Sequence, residues 1–362
     1  MLAIVAALLI GTMMLELLGA DPLQAYLALA KGAFGSTNAL ADTLVKSTPL
    51  LFVGIGICIA YRGGVTNIGG EGQFVIGALT ATVVAMALSH APAWLAIPFS
   101  LTAGCLGGAF WGSIAGVLKA RFGVNEVLST VMLNQIAVQF MNFLLRGPLM
   151  DPAQITSGMR IPQTQRLATA FDLPRLVPTR LHAGFGLAIF LAVVTYVLLW
   201  RTTLGFRIRA VGLNPNASRY AGISVSRYQA LAIALSGALA GLAGAVEVLG
   251  MSHRMFTDGS ATGFTGNAGF NGIVTALFGG LHPLGTIPAS ILFGALLVGA
   301  QSLQRTAQVP TALVVTLNGL IVLFVVGSRT WSRKRSSRRL AAEPGLTGAP
   351  PLFPPEAQGV RR

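Results

Sequence analysis

Two apolar runs flank a glycine-rich break in "PLLFVGIGICIAYRGGVTNIGGEGQFVIGALTATVVAMAL", residues 49–88. With a few neighbouring residues, each run is long enough to cross the roughly 30 Å hydrocarbon core of a bilayer as a helix. The break, "GGVTNIGGEGQF" at residues 63–74, holds five glycines, one acid and no base. Because backbone that leaves a helix at membrane depth is tolerated only against protein or a cavity, the break is expected to lie against one of these.

The composition of the whole chain indicates a membrane protein. Of its 362 residues, 53% are apolar and only 10% are charged, and the mean hydropathy is +0.70. Soluble domains carry roughly 25% charged residues. The predicted fold class is an all-α polytopic membrane protein with about ten transmembrane helices. The candidate spans are residues 2–19, 44–61, 71–89, 94–118, 127–145, 184–200, 229–250, 265–281, 286–302 and 310–327.

The distribution of basic residues predicts how the chain crosses the membrane. The formal net charge is +14, and Lys and Arg are concentrated between the apolar runs and in the tail. This is the pattern of cytoplasmic loops and of contact with lipid headgroups, and it does not indicate nucleic acid. Residues 201–228 hold five Arg and no acid, so they are expected to face the cytoplasm. The parity of the spans then places residues 146–183 outside and both chain ends in the cytoplasm.

The chain is predicted to form one transmembrane domain, residues 1–328, and a basic cytoplasmic tail, residues 329–362, whose Pro and Gly indicate disorder. Cys58 and Cys105 lie inside apolar runs and are interpreted as small buried hydrophobes. The four His residues are scattered singly. We therefore predict no catalytic residues, no metal site and no cofactor.

The two halves of the chain are predicted to form an inverted repeat. Runs 44–61 and 229–250 cross in opposite directions, and each is followed by a glycine-rich segment that contains Asn. The second segment is "GSATGFTGNAGFNG", residues 259–272, and the span that contains it is broken enough for a half-helix. This is the outline of a transporter fold with discontinuous helices at its centre.

The fourth span carries a ridge of small residues at intervals of four. Since lipid gives helices little hydrophobic reason to associate, small residues at this spacing indicate close helix packing. The seventh span repeats the pattern with Gly237, Gly241 and Ala245. The predicted packing residues of the fourth span are Gly104, Gly108, Gly112 and Gly116.

Polar side chains in and near the two glycine-rich segments are the candidate site. Asn67 or Gly70 can cap a helix that starts near Glu71, and this is either a capped start after a tight loop or a half-helix beside a translocation path. The amides of Asn134 and Gln135 can bind a hydroxylated solute or a neighbouring helix. The predicted path or gate residues are Asn67, Gly69, Gly70, Glu71, Gly72, Gln73, Asn134, Gln135, Asn267 and Asn271.

A pump needs an energy source, and no GxxxxGK[ST] phosphate loop is present. If ATP is used, another subunit must bind it. Within residues 201–228, the stretch "GLNPNASRYAGISVSRY" combines a Pro turn with short side chains, which suits docking into a groove of another protein or contact with anionic lipid. The sequence "ALSG", residues 234–237, lacks a partner histidine for hydrolysis.

A family resemblance rests on four stretches that occur in a fixed order. They are "GGVTNIGGEGQFVIGA", "VNEVLSTVMLNQIA" followed by "GPLMDP", "AVGLNPNASRYAGISVSRY", and "GFNGIVTALFGGLHPLGTIPASILFGALL". The chain resembles the membrane permease subunits of bacterial ABC importers for branched-chain amino acids, simple sugars and nucleosides, and is most similar to the nucleoside branch. The stretches are spread over residues 45–325, nearly the whole membrane part.

The resemblance implies a type II ABC importer-like permease of the bacterial inner membrane, with its spans in inverted repeats. Its implied partners are cytoplasmic ATP-binding subunits, a second and different permease chain, and an external solute-binding protein or lipoprotein. ATP hydrolysis then occurs on a partner, so the chain is not itself an enzyme. Residues Asn67 to Gln73 are implied to lie at the gate or in the translocation pathway.

The resemblance also implies that residues 212–228 form the region that couples the permease to its ATPase. The implied contact residues are Gly212, Asn214, Ala217, Tyr220, Ala221, Gly222 and Ile223. Ser218 and Arg219 stand where the family usually has an Ala-rich pair. Likeness favours nucleosides as the substrate and leaves simple sugars as the alternative. A secondary transporter is also open, although such proteins normally show paired intramembrane charges, which this chain lacks.

Overall fold

The structure is a computed structural model that describes residues 2–17, 19, 21–156, 158, 160–260, 262–307, 316 and 319. Within these residues the chain forms helices and loops and no strand, apart from two isolated antiparallel bridges, Gln163–Phe256 and Arg175–His182. The predicted span 310–327 and the predicted tail 329–362 lie outside the described residues, except for positions 316 and 319.

Fourteen α-helices are present in the described part of the chain. They are α1 Leu2–Leu17, α2 Pro22–Phe34, α3 Thr37–Arg62, α4 Gly70–Ala87, α5 Ala93–Phe122, α6 Glu126–Arg146, α7 Pro152–Thr156, α8 Gly184–Arg201, α9 Thr203–Leu213, α10 Pro215–Tyr220, α11 Val225–Glu247, α12 Thr262–Thr265, α13 Ala268–Phe278 and α14 Pro283–Ala307. A π turn, Val248–Ser252, extends α11.

Seven helices in the described residues are long and apolar enough to cross a membrane: α3, α4, α5, α6, α8, α11 with its π turn, and α14. Each coincides with a predicted span. Of the two alternatives left open for residues 265–281, a full span and a half-helix, the structure shows the shorter one: the chain turns at Gly266–Asn267, and the helix that follows, α13, has only 11 residues. Helix α2 was not predicted; Asp21 caps it and Pro22 occupies its first turn.

The centre of the bundle is held together by backbone contact between α5 and α11. A Cβ on Gly108 would overlap the carbonyl oxygen of Gly237, and a Cβ on Gly104 would lie 2.6 Å from Cβ of Ala245. Gly112 and Gly116 face the same partner helix, at Ile233 and Ala230. Any larger side chain on this ridge would force the two helices apart, so glycine is required for their close packing.

The bundle has two ends, which we call the α10 end and the far end. Helix α8, 18 residues long, spans about 27 Å between them. The α10 end contains α9, α10, the turn Gly63–Gly64 and the turn between α13 and α14. The far end contains the described residues of segment 147–183 and residues 253–260, and the bridge Gln163–Phe256 joins the two segments.

Candidate functional site

Two helices begin against each other in the interior of the bundle. The carboxylate of Glu71, in the first turn of α4, accepts hydrogen bonds on Oε1 from the N–H groups of Gly269 (2.9 Å) and Phe270 (3.3 Å) at the start of α13. Thr265 hydrogen-bonds to the same carboxyl group, and Glu71 is only 1% exposed. A Cβ on Gly269 would overlap the backbone of Glu71, so the two helix starts are in direct backbone contact.

This junction has a clear electrostatic reason. A helix start carries a partial positive charge from its unbonded N–H groups, so two starts that face each other repel. A carboxylate between them offsets both charges and bonds two of the free amides. From the junction, α4 runs toward the far end and α13 toward the α10 end, where His282 stacks on Trp200. We call this contact of Glu71 with Gly269 and Phe270 the helix junction.

A second network fixes the extended segment that leads into α4. Asn67 donates from Nδ2 to Gln73 Oε1 and to Ser236 Oγ, both at 2.9 Å. Its Oδ1 accepts from the Gly69 N–H at 2.9 Å and from Gln73 Nε2 at 3.1 Å. All of these side-chain groups are buried, so the amide pair Asn67–Gln73 replaces the hydrogen bonds that water would supply.

Asn134 holds the same segment from α6. Its Oδ1 accepts from the Gly72 N–H at 2.8 Å, and its Nδ2 donates to the Ile68 carbonyl at 3.0 Å. Of the two interpretations left open by the sequence, this amide therefore bonds the neighbouring chain segment. Gln135 lies on the other side of α6 and is exposed.

The exposed polar groups lie beside this buried network. Asn267, with φ +62°, and the ring of Phe270, 45% exposed, stand at the start of α13, and Asn271 is half-buried. Gln135 and Gln139 are exposed on α6. Helices α6 and α13 both pack on Gly69–Gly72, at Asn134 and Gly269 respectively.

The depth of these groups excludes lipid as their surroundings. Asn134 is eight residues into α6, or about 12 Å along a helix that must cross about 30 Å. Amides at this depth are costly against hydrocarbon and favourable against water or protein. We call Gln135, Gln139, Asn267, Phe270 and Asn271 the open face, and it requires a polar occupant or partner.

The segment α9–α10 presents a different exposed surface. Asn214 caps α10 by accepting from the Ala217 N–H at 3.0 Å. Tyr220 is 95% exposed and Leu213 is 86% exposed. Five of the predicted coupling residues are exposed: Asn214, Ala217, Tyr220, Ala221 and Gly222.

The other two predicted coupling residues have inward contacts. A Cβ on Gly212 would overlap the carbonyl oxygen of Arg62, and Ile223 is half-buried. Ser218, one of the two departures from the family pattern, is buried, whereas Arg219 is exposed.

Titratable groups gather at the far end. His253 Nδ1 lies 2.7 Å from Asp172 Oδ1, and the buried His182 accepts from the Gly184 N–H at 3.2 Å. Burial, together with the neighbouring His253, lowers the pKa of His182 to about 4. Among the described residues, no group of three or more His, Cys, Asp or Glu side chains could hold a metal ion.

Sequence reasoning missed Ser236, Gly269 and Phe270 as parts of the site. A signal for Gly269 is nevertheless present, since "NIGGEG" at residues 67–72 and "NAGFNG" at residues 267–272 share Asn, Gly and Gly at the same spacing. Each stretch leads into a helix of the helix junction, α4 in the first case and α13 in the second. Aligning the two would have paired Gly69 with Gly269.

Comparison with known proteins gives the family. Residues 39–326 match the family described as "Branched-chain amino acid transport system / permease component". The guanosine ABC transporter permease protein NupP of Bacillus subtilis is 36% identical over 91% of this chain and 92% of its own length. No solved structure matches the chain at a significant level.

Two further relatives extend the comparison. The glucose ABC transporter permease protein TsgB13 of Haloferax volcanii is 35% identical over 92% of this chain and 88% of its own length. The nucleoside ABC transporter permease protein NupB of Lactococcus lactis is 32% identical over 90% of this chain and 89% of its own length. With its seven membrane-capable helices in the described residues, the chain belongs to this permease family and is a multi-pass membrane subunit of the ABC transporter type.

Proposed function

We propose that the chain is the transmembrane permease of an ATP-driven importer for nucleosides, working by alternating access in a bacterial inner membrane. NupP is a permease for guanosine and NupB is a permease for nucleosides, and both support a nucleoside as the substrate. TsgB13, which is nearly as similar, supports a sugar as the alternative. The proposed topology has ten spans in inverted repeats with both termini cytoplasmic, and residues 329–362 form a cytoplasmic tail.

The observation that carries the proposal is the open face. It offers four side-chain amides and one exposed aromatic ring. It contains no ionisable group. Amides suit the hydroxyl groups of a neutral solute, and a flat ring suits stacking on a nucleobase. These features favour a nucleoside over a charged amino acid.

The open face also supports a second permease. A path needs walls on all sides, and the open face supplies only one. We propose that a second, different permease chain supplies the other wall, so that Asn267, Asn271 and Gln135 face the solute between two subunits. The shared pattern at residues 67–72 and 267–272 supports the inverted repeat, with Glu71 and Asn271 at corresponding positions.

The coupling surface is proposed to be α10 with Leu213. Large apolar side chains that are almost fully exposed on a cytoplasmic segment indicate a docking site, and Tyr220 and Leu213 are such side chains. A separate ATP-binding subunit supplies the hydrolysis, and an external solute-binding protein or lipoprotein delivers the solute at the far end.

The experiment is reconstitution of the complex that co-purifies with this chain. Proteoliposomes that contain ATP on the α10 side should accumulate labelled guanosine, and unlabelled nucleosides should compete while glucose and ribose should not. Competition by sugars and not by nucleosides would move the substrate to the sugar alternative. Guanosine uptake by the chain alone, without ATP, would overturn the importer and indicate a secondary transporter.

A further inference from the structure

We infer that α9–α10 acts on both helices of the helix junction, α4 and α13, through two separate contacts: Gly212 against Gly64 for α4, and Arg209 through Trp200 for α13. The inference rests on the proposed function, since it assumes that α10 receives the movement of an ATPase. It adds the route by which that movement reaches the membrane interior.

The first contact joins two backbone segments directly. Gly64 has φ +71°, a conformation that favours glycine, and a Cβ on it would lie 2.9 Å from Cα of Gly212. A Cβ on Gly212 would in turn lie 2.8 Å from the nitrogen of Gly64. Only two residues separate Gly64 from Asn67, which is bonded to Gln73 in α4. A shift of α9 is therefore passed to the start of α4 without flexible side chains between them.

The second contact is a stack of side chains around Trp200. The guanidinium of Arg209, on α9, lies 5.5 Å from the centre of the Trp200 ring. The guanidinium of Arg62 lies 5.4 Å from it, and the His282 ring lies 4.8 Å away. We call Arg62, Trp200, Arg209 and His282 the tryptophan cluster.

The tryptophan cluster is tied to the end of α13. Arg62 Nε donates to the Leu281 carbonyl at 3.2 Å, and the Leu281 N–H donates to the Ala276 carbonyl in α13 at 2.8 Å. Leu281 has φ +54°, so the turn after α13 is tightly specified. A movement of Arg209 thus reaches α13 through one ring and one arginine.

The charges in the cluster explain why the ring is needed. Nε of Arg209 is buried and has no hydrogen-bond partner among the described residues, so the face of Trp200 is the attraction that the structure gives this cation. Burial and the nearby Arg62 guanidinium lower the pKa of His282. The imidazole is therefore neutral at pH 7 and adds no third positive charge to the stack.

Two contacts are needed because the helix junction joins two helices, α4 and α13, and each must be moved. If only α4 moved, the bonds from Gly269 and Phe270 to Glu71 would break and leave a buried carboxylate unbonded. If α4 and α13 move together, those bonds persist while the open face changes its exposure. Loss of the tryptophan cluster should therefore uncouple ATP hydrolysis from transport without removing the ATPase.

The test uses the full complex in proteoliposomes and measures guanosine transported per ATP hydrolysed. Trp200→Leu keeps an apolar side chain and removes the ring face. We expect it to co-purify with the ATPase in the wild-type ratio and to lower the transport ratio about tenfold. Trp94→Leu is the matched control, because Trp94 is 77% exposed on α5 and outside the cluster; its ratio should equal wild type.

A second variant guards against a folding defect. Arg209→Gln keeps a polar side chain and removes the cation, and it should lower the transport ratio in the same direction. A wild-type ratio in both variants would overturn the inference, as would loss of the ATPase from the complex, since the cluster would then serve docking. A wild-type complex that moves no guanosine with ATP would instead overturn the proposed function.

Discussion

Glu71 is the residue that holds the starts of α4 and α13 together at the helix junction. Replacing it with Ala leaves the N–H groups of Gly269 and Phe270 without an acceptor in the interior, at a cost of about 1–3 kcal/mol for each amide. Glu71→Gln keeps one carbonyl acceptor and removes the charge. We expect Glu71→Ala to lower the thermal midpoint in detergent most and Glu71→Gln to lower it by an intermediate amount.

The control for this series is Glu16→Gln on α1, where the side chain is exposed. Its thermal midpoint should equal that of the wild type. A Glu71→Ala protein as stable as the wild type would show that the junction is held by helix packing and not by the carboxylate.

Asn134 and Gln135 are neighbours in the sequence of α6, but Asn134 is buried and Gln135 is exposed. Asn134→Ala should destabilise the protein by about 2 kcal/mol, because it leaves the Gly72 N–H and the Ile68 carbonyl unbonded. Gln135→Ala should change stability by less than about 0.5 kcal/mol and should raise the KM for uptake. Thermal unfolding and uptake kinetics of the two variants check this, and equal effects in both assays would contradict the distinction.

His182 gives the far end a defined pH dependence. Its pKa is about 4 in the folded protein against 6.5 for an ordinary His, so between these values the unfolded chain binds a proton that the folded chain does not. Stability therefore falls as the pH is lowered through this window, by about 2 kcal/mol between pH 7 and pH 5. The thermal midpoint in detergent at these two pH values measures the effect.

His182→Asn should remove this contribution and keep an acceptor for the Gly184 N–H. His253, Asp172, Arg166 and Arg175 remain in the variant, so the difference between the two proteins isolates His182. An identical pH dependence in wild type and variant would show that another group is responsible.

At the scale of the element, α10 is the exposed helix whose role is easiest to test. Ala217→Arg should abolish co-purification of the ATPase, because a long charged side chain would stand on the short-side-chain surface between Leu213 and Tyr220. Gly222 is a poorer probe: its φ of +76° would strain any other residue. Phe110→Ala is the control, because Phe110 is exposed on α5 and not on α9–α10, so its loss should leave co-purification unchanged.

Long helices could be predicted from the sequence, and short ones could not. The seven membrane-capable helices agree with predicted spans, because a run of 18 or more mostly apolar residues is typical of a transmembrane helix. Helix α2 was missed because its 13 residues include Gln24, Tyr26 and Lys31, which break the apolar run. The Gly and Asn residues within 265–281 indicated a break in this span, but the sequence did not place the turn at Gly266–Asn267.

The residues of the site could be predicted from the sequence, but only some of the contacts between them could. Asn67, Glu71 and Asn134 stood out as polar groups in apolar surroundings, which is a property of the sequence. That Glu71 bonds the start of α13, 198 residues away, depends on how the two halves pack. Which face of α6 is buried also depends on packing, and this separates Asn134 from Gln135.

At the scale of the whole molecule, the exposed surfaces of α5 and α6 differ in a way that predicts the partner. Between Trp94 and Val117 the large exposed side chains of α5 are apolar, as on Leu106 and Phe110, whereas the exposed side of α6 combines Ile136 and Phe140 with Gln135 and Gln139. The first surface suits lipid and the second suits protein or a solute path.

A cross-linking experiment tests this difference. Gln139→Cys in the intact complex should form a cross-link to the second permease with a short bifunctional reagent, and Phe110→Cys should not. Both variants are made with Cys105→Ser, because Cys105 is partly exposed and Cys58 is buried. A cross-link from position 110 and none from position 139 would assign the subunit interface to α5.

The helix junction also constrains how the chain is made. Glu71 leaves the ribosome 198 residues before Gly269, which is roughly 10–40 s at common rates of synthesis. During that interval its carboxylate has no partner, and an unpaired acid at the centre of a bilayer costs about 2.5–3.5 kcal/mol. Helix α4 is therefore expected to gain the full stabilisation of its position only after α13 has been synthesised, so biogenesis of the first half depends in part on the second.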